Sequence, residues 1–258
     1  MTLSPLDFYG QIAHFFWPAV RVLSVFSTAP IFNEKGIQKK ARVLLALAIS
    51  FLITPNLPDI KVEIFSMDGL WVGAKELIIG AAIGLSVQLL FVAVRTAGEI
   101  IGLQMGLSFA TFFDPSGGGN MPVIARILNL LVTLLFLTFN GHLWMLDILA
   151  KSFTVLPVSA SPLGTDALLA LVENAGMIFT FGIQLGLPII TLLLSINLTL
   201  GLLNRLTPQL SIFVIGFPLT LSVGMTALIL MMYSLAPWFE NMMAERFNSV
   251  SKLIYQLL

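Results

Sequence analysis

Six long apolar runs, separated by short polar breaks, constrain this chain more than any other feature. A transmembrane helix needs about 20 consecutive, mostly apolar residues. With 57% hydrophobic and only 10% charged residues, the chain has too little polar surface to coat a water-soluble globule. The sequence therefore predicts an all-α, polytopic membrane protein built of helical hairpins, with runs at Phe8–Phe32, Ala41–Leu57, Gly69–Val94, Val123–Leu149, Ala175–Leu203 and Gln209–Trp238.

Each break between the runs combines a helix-stopping glycine or proline with polar residues. No break is long enough to separate two domains, so one membrane domain over residues 1–258 is expected. The second run is short for a span, and Arg95–Phe113 is glycine-rich and too polar to span, so it is expected to pack against protein. The breaks lie at Asn33–Gly36, Pro55–Asp59, Asp114–Asn120, Pro157–Thr165 and Leu206–Pro208.

Composition excludes several functional classes. The 13 Lys plus Arg and the 13 Asp plus Glu cancel, so there is no net basic field that would favour nucleic acid. The chain has no cysteine and only two histidines, and it lacks nucleotide-binding and zinc-protease motifs. We expect no metal, no cofactor and no nucleic acid partner. The basic residues of the first loop should hold that loop in the cytoplasm: Lys35, Lys39, Lys40 and Arg42.

Several charges lie within or beside the apolar runs, where an unpaired charge costs about 2.5 kcal/mol or more. Arg95 and Glu99 are four residues apart and can pair on one helix face, as can Asp147 and Lys151. Adjacent residues, in contrast, point about 100° apart on a helix, so the adjacent pair Lys75–Glu76 cannot neutralise itself well. A proton or ion relay and a salt bridge to another subunit are both open for this pair.

Small residues recur at a spacing that favours close helix packing. Gly98, Gly102, Gly106 and Ala110 are four residues apart, and Gly80 with Gly84 and Gly182 with Gly186 repeat the spacing. Glycines at this spacing let another helix backbone approach closely. Three such motifs in one chain indicate packing against several neighbours, and therefore an assembly.

The glycine ridge leads into an aromatic segment, Leu107–Pro122. Three phenylalanines precede a triple glycine, so bulky apolar side chains stand beside a backbone of high freedom. The proline at 115 disfavours helical backbone at Asp114, so the helix should end before it. An ordinary helix end and a movable hydrophobic plug are both compatible with these residues. Ser108 stands in a weak nucleophile-like pattern without a base, so an enzyme is not expected.

Three blocks of the sequence resemble a known family, and the similarity covers nearly the whole chain. The blocks are Arg95–Pro115, Leu137–Leu143 and Leu202–Leu219. They resemble the FliR family, the R-type membrane subunits of the flagellar type III export gate, related to the T component of virulence type III secretion. The resemblance implies a hetero-oligomeric helical assembly in the bacterial inner membrane, at the flagellar basal body. One copy would assemble there with several copies of FliP and FliQ and associate with FlhB, with FlhA and other basal-body components as further partners.

The resemblance also implies a function and assigns residues to it. The subunit would help form and plug the channel through which unfolded flagellar proteins are exported. The assembly would lie largely above the plane of the bilayer, with its apolar surface serving partner helices more than membrane lipid. An ion-coupled small-solute transporter, using Lys75, Glu76, Glu99 and Arg205, is the alternative. The expected plug residues are Met105, Gly106, Phe109, Phe112, Phe113, Gly117, Gly118, Gly119, Met121 and Pro122. The expected packing residues are Gly80, Gly84, Gly98, Gly102, Asn204, Arg205, Gly216, Phe217 and Pro218, and the expected buried charges are Lys75, Glu76, Arg95 and Glu99.

Overall fold

A computed structural model describes residues 5–32, 36–58, 60, 62–107, 121–162, 165–207 and 212–256. These residues form seven α-helices and one short 3-10 turn, Thr54–Asn56, and contain no strand. The all-α prediction is confirmed. The helices are α1 (Pro5–Thr28), α2 (Lys39–Ile53), α3 (Met67–Gln104), α4 (Val123–Thr138), α5 (Gly141–Val155), α6 (Thr165–Leu206) and α7 (Ile212–Gln256).

Three helical stretches within the described residues are long and apolar enough to cross a membrane: Met67–Gln104, Ile178–Leu206 and Ile215–Lys252. A fourth span is present if α4 and α5, which are separated by a short break, count as one. The prediction of a polytopic membrane protein is confirmed. At 15 residues, α2 is too short to belong to this group, as the short second apolar run predicts.

Three helices, α2, α5 and α6, end at breaks that the sequence predicts. α2 ends at Ile53 ahead of Pro55, and α5 ends at Val155 ahead of Pro157. Proline lacks an N–H group and disfavours helical backbone in the residue before it, so a helix usually stops there. α6 likewise ends at Leu206. The predicted break at Asp114–Asn120 lies outside the described residues.

Several helix boundaries differ from the predictions; α1 ends at Thr28 and not at Phe32, and α7 continues past the predicted end at Trp238 to Gln256. The apolar run that ends at Val94 continues as helix to Gln104, where α3 ends well before the predicted stop ahead of Pro115. Arg95 and Glu99 pair on the surface of this added stretch. The predicted run Val123–Leu149 is interrupted, because Asn140 adopts a left-handed backbone with φ of 56° and left-handed residues cannot continue a right-handed helix.

The chain divides into two compact units. Unit 1 comprises Met1–Leu89, Asn140–Ala175 and Ala244–Leu258. In this unit α3 packs against α1 through two glycines: Gly80 lies against Ser24 and the carbonyl of Arg21, and Gly84 lies against Thr28. Side chains at both positions would displace the facing backbone. The predicted close packing is therefore realised within the chain itself.

Unit 2 comprises Leu90–Phe139 and Gly176–Met243. Its core includes the ring of Phe91, which meets Phe136 edge-on at a centroid distance of 5.4 Å and Phe239 at 6.3 Å. A methyl group on Gly182 of α6 would lie 2.9 Å from the carbonyl oxygen of Ala93 on α3. Aromatic side chains and glycine contacts thus join the second half of α3 to its neighbours.

Candidate functional site

The carboxyl end of α3 in unit 2 is built as a glycine-capped helix terminus. Gly106 has a φ of +81°; its N–H donates to the carbonyl of Leu103 at 3.0 Å, and the N–H of Leu107 donates to the carbonyl of Gly102 at 3.0 Å. These two bonds and a left-handed glycine define a Schellman cap. The helix therefore ends at Gln104, well before Pro115.

This cap corrects the predicted glycine ridge. Gly106 was expected to share a helical face with Gly98 and Gly102, but it terminates the helix instead. Glycine is required there because the left-handed region costs other residues roughly 1–2 kcal/mol. Ala110, the last predicted member of the ridge, lies outside the described residues.

Side chains from two other helices hold the same helix end. The amide nitrogen of Asn197 on α6 donates to both the carbonyl and the side-chain oxygen of Gln104, each at 3.1 Å. The hydroxyl of Thr220 on α7 donates to the carbonyl of Met105 at 3.4 Å. The last carbonyls of a helix have no partner within the helix, so α6 and α7 supply partners here.

Met105 is held inside the core of unit 2. Its side chain is fully buried, and a methyl group on Gly224 would lie 2.7 Å from its Cγ. Met105 was expected to help fill a channel throat, and the structure corrects this: its side chain packs between α3 and α7. Met121 is the other predicted methionine of the plug, and it is half-buried.

The chain returns to the same helix end after the aromatic segment. Pro122 directly precedes α4, and a methyl group on Gly102 would lie 3.7 Å from its Cβ. A methyl group on Gly98 would lie only 2.6 Å from the Cα of Ala125. The segment 107–121 thus leaves from and returns to one place, and Gly98 and Gly102 face the chain's own α4, where packing against another subunit was expected.

The remaining predicted residues of this site are distributed as follows. Asn204 and Arg205 are exposed near the end of α6, and Pro218 is exposed within α7. Gly216 is buried, while Phe217 is half-exposed, with its ring 3.1 Å from the position of a methyl group on Gly106. The central plug residues lie outside the described residues: Phe109, Phe112, Phe113, Gly117, Gly118 and Gly119.

Unit 1 contains a buried charge cluster centred on Arg21 of α1. Its Nε and Nη2 atoms donate to the carboxylate of Glu76 on α3 at 2.5 and 2.9 Å. The guanidinium also donates to Ser152 Oγ at 3.0 Å and to the carbonyl of Leu156 at 2.8 Å, and it lies 4.2 Å from the ring centre of Phe153. Arg21 thereby joins α1 and α3 to the end of α5.

Lys75 has a different set of partners. Its Nζ donates to the carbonyls of Ser159 and Ser161 at 3.3 and 3.2 Å and to Ser161 Oγ at 2.9 Å. Lys75 and Glu76 therefore have separate partners, in line with their adjacent positions on the helix. The salt bridge of Glu76 forms within this chain, where a bridge to another subunit was one expectation.

The two predicted i,i+4 pairs are present but exposed. Arg95 and Glu99 are joined at 3.0 Å, with side chains 45% and 37% exposed, which corrects their assignment as buried charges. Lys151 and Asp147 are joined at 2.6 Å and are also exposed. Sequence spacing identified these local pairs, whereas the partner of Glu76 was missed because Arg21 lies 55 positions away.

Long apolar helices, glycine-mediated packing and a charge cluster neutralised inside the chain define a polytopic helical membrane protein. Comparison with known proteins then identifies its family. A sequence profile of the family described as "Bacterial export proteins, family 1" matches residues 12–246. The chain belongs to this family.

Individual relatives align over nearly the whole chain. The flagellar biosynthetic protein FliR of Pectobacterium carotovorum subsp. carotovorum is 51% identical over 257 residues, covering 100% of this chain and 98% of that protein. FliR of Escherichia coli (strain K12) is 52% identical over 243 residues, covering 94% and 93%. FliR of Bacillus subtilis (strain 168) is 27% identical over 241 residues, covering 91% and 92%.

Proposed function

We propose that this chain helps form and plug the channel of the flagellar type III export gate, through which unfolded flagellar proteins pass. Family membership makes it a membrane component of a bacterial export system. The full-length likeness to the flagellar biosynthetic proteins makes that system the flagellar export apparatus. The plug, its residues and the partner subunits belong to our proposal.

The plug proposal rests on one observation: both ends of segment 107–121 are held at the carboxyl end of α3. We call these two ends the base of the segment. The segment starts at the Schellman cap of Gly106, whose helix end is hydrogen-bonded by Asn197 and Thr220. It returns at Pro122, beside Gly102 of the same helix. A fixed base keeps both ends of the segment in one place. Three phenylalanines in that segment suit a hydrophobic constriction, which closes a channel by excluding water and ions.

Phe109, Phe112 and Phe113 would form the seal, together with Met121, while Gly117, Gly118 and Gly119 would let the segment move when a substrate arrives. Glycine gives the backbone the widest conformational range. Gly106 and Pro122 would act as the fixed ends. Met105 supports the base from within unit 2, since its side chain is fully buried.

The proposed partners follow from the apolar surface that the long helices leave uncovered. Leu194 and Leu198 on α6 and Leu230 on α7 are each more than half exposed, and such side chains need lipid or partner helices around them. We propose FliP and FliQ as the partners in the gate core, with FlhB, FlhA and other basal-body components beyond it. The location would be the inner membrane at the flagellar basal body, and residues 1–258 would act as one domain.

The test of the plug is an ion-leak measurement on the assembled gate. In complexes reconstituted into vesicles, replacing Phe109, Phe112 and Phe113 together by alanine should raise ion conductance well above the wild-type level. Phe65→Ala is the matched control, because Phe65 is 94% exposed in unit 1 and lies outside the segment. Wild-type conductance in the triple variant, with the complex intact, would reject the plug.

The transporter alternative finds less support in the structure. A transporter site needs charges that are available to an ion or solute. Glu76 is fully engaged by Arg21, and Glu99 pairs with Arg95. The chain reconstituted alone should therefore carry no small solute across vesicles. Ser108, the candidate nucleophile, lies outside the described residues, and we assign it no catalytic role.

A further inference from the structure

Helix α6 packs along the second half of α3 within unit 2. A methyl group on Gly182 would lie 2.9 Å from the carbonyl oxygen of Ala93, and one on Gly186 would lie 3.5 Å from the Cβ of Ala97. Both contacts advance by one helical turn in the same sense, so the two helices run in the same direction here. This direction carries α6 toward the end of α3, where segment 107–121 begins.

A proline at position 188 divides α6 into two parts. Pro188 lies inside the helix, and because proline has no N–H group, the carbonyl of Gln184 loses its partner within the helix. The part before Pro188 makes the glycine contacts. In the carboxyl part, residues 189–206, Leu193 is the last residue that is buried within the described chain. Side-chain packing therefore holds little of this carboxyl part.

Asn197 attaches the carboxyl part of α6 to α3. Its amide nitrogen donates to both the carbonyl oxygen and the side-chain oxygen of Gln104, each at 3.1 Å. Of the described polar side chains in this part, only Asn197 hydrogen-bonds to another helix. The hydroxyls, in contrast, donate to carbonyls of α6 itself: Thr191, Ser195 and Thr199.

We infer that Asn197 is a positioning residue of the gate, which ties the carboxyl part of α6 to the base of the plug segment. Polar side chains of membrane helices act in this way by hydrogen-bonding across to a neighbouring helix. Both acceptors here belong to Gln104, the last residue of α3, so Asn197 acts through Gln104 on the start of segment 107–121. The inference rests on the proposed plug function and names the contact that keeps the base in its closed position.

The other side-chain hydrogen bond at this helix end is weaker. The hydroxyl of Thr220 lies 3.4 Å from the carbonyl of Met105 but 3.0 Å from the carbonyl of Gly216 on its own helix. A hydroxyl has one proton to donate, and bonds between oxygens are strongest near about 2.8 Å. Loss of Asn197 should therefore loosen the start of the segment more than loss of Thr220.

The first measurement follows the helix end itself and does not depend on the plug. Asn197→Leu keeps a similar size and removes the donor. In the assembled gate, hydrogen–deuterium exchange at residues 105–107 should become several-fold faster than in the wild type, because the amides of the cap would open more often. Thr220→Val should have a smaller effect. Thr199→Val is the matched control, since Thr199 is exposed and donates within α6.

The second measurement is the ion conductance of the assembled gate in vesicles. Asn197→Leu should raise the conductance several-fold, and Thr199→Val should leave it unchanged. Because the chain has no cysteine, the two positions of the variant Q104C/N197C can be joined by a short thiol crosslinker that a reductant cleaves. Its conductance should be high before crosslinking, fall to the wild-type level afterwards and rise again with reductant. The single variants Q104C and N197C, treated identically, should not respond.

The two measurements separate failure of this inference from failure of the plug. Unchanged exchange at residues 105–107 in N197L would overturn the positioning role. Faster exchange with wild-type conductance, in a gate that leaks when Phe109, Phe112 and Phe113 are replaced by alanine, would mean that Asn197 stabilises the fold without acting on the gate. Wild-type conductance in that triple variant as well would reject the plug, and with it the effect of Asn197 on conductance.

Discussion

Arg21 and Glu76 form a buried, bidentate ion pair that links α1 to α3, with donor–acceptor distances of 2.5 and 2.9 Å. Both side chains are fully buried. A buried pair adds little net stability relative to apolar residues, but removal of one partner leaves an uncompensated charge. The packing of Gly80 against the backbone of Arg21 holds the two helices at this close approach. The pair therefore fixes one arrangement of α1 against α3.

Arg21→Met should destabilise the chain by about 3–5 kcal/mol, because the carboxylate of Glu76 would stay buried without its counterion. Thermal unfolding of the purified chain in detergent measures this effect. The double variant R21M/E76M should lose much less stability than the sum of the two single variants. Arg95→Ala is the matched control: its exposed pair with Glu99 should contribute at most about 1 kcal/mol. Equal stability of R21M and R95A would contradict the prediction.

Two glycines on the same face of α3 should respond differently to alanine. A methyl group on Gly98 would lie 2.6 Å from the Cα of Ala125 and 2.9 Å from its backbone nitrogen, so α4 would have to move. On Gly102 the nearest atoms are side-chain atoms at 3.7 and 3.8 Å, an ordinary contact. Gly98→Ala should therefore destabilise the chain. Gly102→Ala should be neutral or stabilising by up to about 1 kcal/mol, the helix-propensity gain of alanine over glycine.

Recovery of the chain in membranes and its melting temperature in detergent distinguish the two variants. If Gly98→Ala behaves like Gly102→Ala in both measurements, the close approach of α3 and α4 is not required for the stability of the chain. A further comparison separates folding from assembly. A larger residue at Gly102 should act first through Pro122 and Ile124 of the same chain, so any loss of complex formation with the proposed partner FliP should be accompanied by loss of stability.

Local features of the sequence predict most of this fold. Apolar runs and prolines act on the residues around them, so the ends of α2 and α5 could be predicted from Pro55 and Pro157. The interruption at Asn140 lies within the predicted run Val123–Leu149 and has a local signal, because Asn followed by Gly favours left-handed backbone. The cap at Gly106 is not predicted, because a regular four-residue spacing of glycines favours a continuous helical face.

The candidate sites depend more on contacts between distant segments, which no spacing reveals. The side chain of Asn197 reaches Gln104 across 93 positions, and Arg21 reaches Glu76 across 55. The cost of an unpaired charge in a membrane predicts that Glu76 has a partner. It does not identify the partner, because several charges in the apolar runs could serve equally.

Gly106→Ala should destabilise the base of the aromatic segment. A φ of +81° costs a residue with a side chain roughly 1–2 kcal/mol, and the new methyl group would lie 3.1 Å from Cδ2 of Phe217. Gly106→Asn should lower the stability less than the size of the asparagine side chain suggests, because asparagine tolerates left-handed backbone. Gly201→Ala is the matched control, since nothing lies within 4 Å of a methyl group there.

Two measurements check the Gly106 prediction. The melting temperature should fall for Gly106→Ala and not for Gly201→Ala. If the base positions a plug, ion conductance of the assembled gate should also rise in Gly106→Ala. A lower melting temperature with unchanged conductance would mean that the cap stabilises the fold but has no role in closing the channel. Unchanged values in both measurements would contradict the role of the cap.

Substitutions at Lys75 can distinguish a structural role of this residue from a role in a proton relay. Its three hydrogen bonds hold the segment around Ser159 and Ser161 to α3. Lys75→Met should therefore increase hydrogen–deuterium exchange in residues 157–162. Lys75→Arg should preserve most of the protection, because arginine also donates several hydrogen bonds, yet arginine does not release a proton in proteins. Normal flagellar export with Lys75→Arg is the expected result. Loss of export in that variant, with exchange at 157–162 unchanged, would instead establish the relay.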